Sequence, residues 1–100
     1  MNISHERLGD HTVVRMNGRL DTVHAKTFET YITETIQKEE GAIVVDMAHV
    51  DYIASSGLRS LLIAAKQMRA AGRDLSLSGL QPHVREVFDI SGFSTIFKIV

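Results

Sequence analysis

The stretch AIVVDMAHVDYIASSGLRSLLIAAKQM, residues 42–68, decides how the chain folds. Its first six residues, 42–47, form a run that is apolar but for Asp46, with β-branched residues at its centre. Such a run predicts a strand buried on both faces, and hence a central place in a sheet. At the other end, Leu58, Leu61, Leu62, Ala65 and Met68 fall at the i, i+3, i+4, i+7 and i+10 spacing of an amphipathic helix. Between the two, AHVDYIASSG reads as a loop.

Working outward, HTVVRM at 11–16 is β-branched and apolar and predicts another strand. NISHERL before it alternates weakly through Ile3 and Leu8, as the first arm of a hairpin turning at Gly9 and Asp10. Gly18 then supplies a turn, and Asp21 is placed to cap a helix through its short carboxylate. Phe28, Ile32 and Ile36 recur every four residues, with Tyr31 on the same side, so a helix is predicted over roughly 22–39, ended by Gly41. Beyond the opening stretch, Gly72 stops the second helix and DLSLSGL at 74–80 alternates as a strand. Pro82 suits the first position of a third helix, whose apolar face is Val84, Val87 and Phe88. TIFKIV at 95–100 predicts the last strand. The order β-β-α-β-α-β-α-β is that of an α/β fold: a mostly parallel mixed sheet of about five strands, with crossover helices and one antiparallel strand at the N-terminal end.

The length of 100 residues fits one compact domain, 1–100, and 44% hydrophobic residues provide a core. A net charge of −1 and a pI of 6.5 argue against a nucleic-acid protein. The polar start MNISHERLGD lacks a signal-peptide core, and the longest apolar run, LLIAA, is far too short to span a bilayer. These features predict a soluble cytoplasmic domain with no membrane insertion. There is no cysteine, so disulfides and thiol ligands are excluded. Histidines 5, 11, 24, 49 and 83 have no i+3 or i+4 partner among themselves, so no metal or other cofactor is expected. IASSGL lacks the leading glycine of a nucleophile elbow, and no P-loop motif accompanies it, so no catalytic residue is assigned. At a helix start, one serine can accept a free backbone N–H, worth about 1 kcal/mol over alanine. The same positive helix end tolerates a phosphate. Spacing alone leaves Ser55 and Ser56 open between cap and chemical switch.

Three stretches together resemble the STAS domain of anti-sigma factor antagonists: VDYIASSGLRSLLIA at 50–64, MNGRLD at 16–21 and VREVFDISGFSTIFKI at 84–99. They occur in the family's order and cover nearly the whole chain. The resemblance implies a non-enzymatic switch. The unphosphorylated antagonist binds an anti-sigma factor that is also a serine kinase; phosphorylation ends the complex, and a PP2C-type phosphatase restores it. The acceptor falls on Ser55, with Ser56 and Gly57 beside it and the family's loop aspartate on Asp21. Well-known antagonists carry Asp immediately before the acceptor, where this chain has Ala54; Asp51, three residues earlier, is the nearest substitute. The expected contact surface is 18–25 with 51–60. Arg59 points outward there, either to meet an acidic partner or simply solvated, and Tyr52 and Ile53 are either anchors or packing. A STAS subunit of a membrane lipid or anion transport complex is the alternative reading, and a small esterase a more distant one.

Overall fold

The computed structural model describes all of residues 1–100. The elements follow the predicted order: β1 (Asn2–Leu8), β2 (His11–Leu20), α1 (Thr22–Lys38), β3 (Ala42–Ile53), α2 (Ser55–Ala70), β4 (Leu75–Ser78), α3 (Pro82–Ile90), a 3-10 turn (Phe93–Thr95) and β5 (Lys98–Ile99). The five strands lie side by side in chain order. β1 and β2 form the antiparallel hairpin, with Leu8 opposite His11 across the Gly9-Asp10 turn. β2 to β5 are parallel.

This strand order explains a departure from expectation. Each parallel crossover steps the same way along the sheet, and right-handed crossovers then put every helix on one face. β3 is central, flanked by β2 and β4, but it is not buried on both sides. Ile43, Val45, Met47, Val50 and Ile53 are buried, while Val44 and Asp46 are half-buried and Ala48 and His49 exposed. On the buried face these side chains join Val14, Met16 and Leu20 of β2, Phe28 and Ile32 of α1, Leu58, Leu61 and Met68 of α2, and Val84 and Phe88 of α3 in one core. Each fully buried large side chain there contributes about 1.5–3 kcal/mol relative to exposure. The opposite face carries a polar row across three strands, with Arg15 3.0 Å from Glu6 and 3.9 Å from Asp46.

β3 is also longer than predicted. The segment 48–53 reads as a loop because its alternation fails, yet it stays paired to β2. The register runs Arg15 to Asp46, Asn17 to His49, Gly18 to Val50 and Arg19 to Tyr52, so β3 holds one extra residue at each of two bulges. The Asp46 carboxylate accepts the Ala48 backbone N–H at 3.0 Å beside the first bulge. Each bulge shifts the side-chain phase by one, which brings Met47, Val50 and Ile53 onto the core face at intervals of three. Gly18 is not the end of β2 either. It lies within the strand at φ +98°, a conformation favouring glycine, where the second shift occurs, and β2 continues to Leu20.

β4 is shorter than the predicted 74–80, and the last strand shrinks to Lys98–Ile99. Phe97 is buried edge-on against Phe88 and Phe93, at ring separations of 5.7 and 6.1 Å, which bends 93–97 into a turn before pairing begins. Arg73 closes the C-terminal end of α1: its guanidinium donates to the carbonyls of Ile36, Glu39 and Gly41, each at 2.8 Å. No helix is long and apolar enough to cross a membrane.

Candidate functional site at the β2–α1 and β3–α2 junctions

Because β2 and β3 are parallel, both deliver the chain to the same end of the sheet, and α1 and α2 both begin there. The two junctions are stitched by the Ala54 N–H, which donates to the Leu20 carbonyl at 3.0 Å. α1 starts as predicted. Asp21 is its N-cap, and one carboxylate oxygen accepts both the His24 backbone N–H at 3.1 Å and the His24 ring Nδ1 at 2.8 Å. The other oxygen lies 3.6 Å from Arg19 Nε. Burial pushes the Asp21 carboxyl up, but the His24 N–H, the His24 ring and the Arg19 charge together outweigh it and hold it below the usual carboxylate value. Arg19 also stacks over the Tyr52 ring, 4.1 Å from its centroid.

α2 does not begin at Leu58 under a serine cap. It begins at Ser55, and the N-cap position is Ala54, which has no side chain to accept a bond. The serines lie inside the first turn, and their hydroxyls are used differently. Ser56 Oγ donates to Thr22 Oγ1 at 3.2 Å, tying the first turn of α2 to that of α1. Ser60, one turn on, is buried, with its hydroxyl 3.2 Å from the Ala25 carbonyl and 3.1 Å from that of Ser56. Ser55 is exposed and its hydroxyl has no partner in the protein. Gly57 permits this approach: a Cβ there would stand 2.6 Å from the Leu20 carbonyl oxygen, 2.8 Å from Leu20 Cγ and 3.2 Å from Ile53 Cγ1.

Beside Ser55 a groove of about 300 Å³ separates α2 from the end of α3, lined by Ser55, Leu58, Arg59, Leu62, Ser91 and Phe93. Arg59 is exposed and makes no hydrogen bond, ion pair or ring contact. Asp51 is exposed on β3; its carbonyl is bonded by His83 Nε2 of α3, and its carboxylate bonds to nothing, Ser55 included. Of the other histidines, His5 bonds to Tyr31 on α1 and His11 to the adjacent Asp10.

Residues 2–100 match the family model of the STAS domain. The chain belongs to the STAS domain family. Among its relatives, BtrV of Bordetella bronchiseptica, a candidate anti-sigma factor antagonist, is 36% identical, over 99% of this chain and 85% of BtrV. The anti-sigma-B factor antagonist of Listeria monocytogenes is 33% identical, over 99% of this chain and 90% of that protein. The fold is that of the Bacillus cell fate determinant SpoIIAA in its phosphorylated form, at a TM-score of 0.74 and 22% identity, covering 99% of this chain and 91% of SpoIIAA.

In this STAS domain the sequence-predicted residues Asp21, Ser55, Ser56, Gly57 and Arg59 gather at one end, whereas the Asp51 carboxylate contacts none of them. Ile53 is buried packing, and Tyr52 is exposed under Arg19. Thr22, His24, Ser91 and Phe93 were not predicted for the site. Thr22 and His24 fall within the predicted 18–25 surface, but nothing in spacing singles them out. Ser91 and Phe93 come to the groove only through packing of α3 and its following turn.

Proposed function

We propose that this STAS domain is an anti-sigma factor antagonist, without catalysis of its own, acting by partner switching with Ser55 as phosphoacceptor. One observation carries the choice of residue: of the two serines, Ser55 alone has an exposed hydroxyl free of bonds, while Ser56 is spent on Thr22. The names of the relatives support the class of partner, an anti-sigma factor; the kinase activity of that partner and the opposing PP2C-type phosphatase come from the family resemblance. Asp21 and its neighbours on 18–25 form the rest of the docking end.

A phosphate adds about 1.5 to 2 negative charges. Within the domain it sits in the first turn of α2, where negative charge is favoured by about 0.3–1 kcal/mol at exposed sites. Across an interface, a buried charge without its counterpart costs about 2–5 kcal/mol. The interface effect dominates, at tenfold in affinity per 1.4 kcal/mol, so the complex is released while the domain stays folded. Ala54 in place of the family's aspartate leaves the acceptor without an adjoining carboxylate, and Asp51 does not supply one.

The test is affinity capture from the native cell with wild type, Ser55→Asp and Ser55→Ala. A kinase-type anti-sigma factor recovered with wild type and Ser55→Ala, and about thirtyfold or more weaker with Ser55→Asp, is the expected result. Equal recovery with all three sinks the switch.

A further inference from the structure

The charged groups at the docking end are not equally available. Arg19 is held between the Tyr52 ring and Asp21, and His24 is bonded to the same carboxylate. Asp51 projects from β3 without an ionic partner, and on α3 Asp89 is paired with Arg85 at 3.4 Å. Arg59 is the one cation at this end with no contact at all. It follows Ser55 by four residues on α2, so the two side chains are neighbours on one helix face, about 5–6 Å apart at Cβ. Both line the same groove. An anion preceding a cation at this spacing is the favourable orientation on a helix.

We propose that Arg59 is the intramolecular counter-ion of phosphorylated Ser55. The inference rests on Ser55 being the phosphoacceptor. Unmodified, the domain presents a free guanidinium beside Leu58, Leu62 and Phe93. Phosphorylated, it turns that guanidinium onto its own phosphate through charge-assisted hydrogen bonds, which a planar fork makes in pairs. The modification therefore removes a cation from the docking groove as well as adding an anion to it. The α2 start is held in place by the same bond.

The test installs phosphoserine at position 55 during translation, so that it depends on no kinase. The phosphate's second ionisation is followed by 31P NMR in otherwise wild-type protein, Arg59→Lys and Arg59→Gln. An exposed pair at this spacing lowers that ionisation by about 0.3 of a pH unit, so Arg59→Gln is expected to titrate higher by that amount, with Arg59→Lys between the two. Identical titration in all three overturns the pairing while leaving Ser55 as acceptor. Failure of a cognate kinase to label Ser55 strikes at the acceptor reading and leaves the titration result standing.

Discussion

Gly57 shows how one residue sets the geometry of the β2–α1 and β3–α2 junctions. Alanine is the better helix former by up to about 1 kcal/mol, so on propensity alone Gly57→Ala would stabilise α2. The added Cβ, however, meets the Leu20 carbonyl at 2.6 Å, and a backbone atom cannot rotate aside. Overpacking of this kind costs about 1–3 kcal/mol, and clash outweighs propensity. Gly57→Ala is expected to lower the thermal midpoint, by roughly 4–8 °C per kcal/mol in a domain of this size; a midpoint at or above wild type would contradict the close seating of α2. Asp21 gives a second residue-level expectation. Its carboxyl is held below the usual value of 3.8, so its ionised form stabilises the fold. That contribution is complete above the unfolded-state value and disappears as pH falls through the lower folded-state value. Asp21→Asn keeps a capping oxygen and should flatten the acid limb of a denaturation series below about pH 4. An unchanged acid limb would show that the contacts with His24 and Arg19 do not favour the ionised form.

At the scale of elements, the reading of the sequence succeeds where local rules act alone. The Asp21 cap, the four-residue spacing of Phe28, Ile32 and Ile36, the hairpin turn and Pro82 at the start of α3 are each legible within a few residues. The second half of β3 is not, because 48–53 keeps its strand only through two bulges against β2, and a bulge belongs to a pair of strands. The start of α2 is hidden for a similar reason. A glycine three residues into a helix reads as loop until Leu20 is seen packed against it. Ser55 and Ser56 look equivalent in sequence and are separated only by Thr22, which arrives from another helix. Arg73 is a further case: nothing near it in sequence announces that it caps α1. Hydrogen bonds to a charged group contribute about 1.5–3 kcal/mol, so Arg73→Ala is expected to lower the free energy of unfolding by at least about 2 kcal/mol in urea titrations. Arg73→Lys should recover little, since an ammonium lacks the fork that reaches three carbonyls. Full recovery by lysine would mean that charge alone holds the end of α1.

For the molecule as a whole, the one-sided sheet separates support from contact. The helices and the core lie on one face, the polar row of Glu6, Arg15 and Asp46 on the other, and the Ser55 junction, the proposed docking end, at the carboxyl edge of β2 and β3, where α/β sheets commonly bind. The strand order has a consequence for how the molecule is made. Every strand pairs with the one synthesised just before it, so each can add to an edge already present as the chain leaves the ribosome, and no strand waits for a distant partner. This order permits vectorial assembly, and the edge strand β5 is the least anchored: it is two residues long, with the Val100 N–H to the Leu77 carbonyl beyond it. Local opening begins where ordered backbone is least anchored, so amide hydrogen exchange should be fastest among paired strands at Lys98–Val100 and slowest in β2 and β3; protection of β5 equal to that of β3 would contradict this. The end that unzips first is thus the far edge of the sheet from the β2–β3 junctions, and fraying there leaves the Ser55 turn intact.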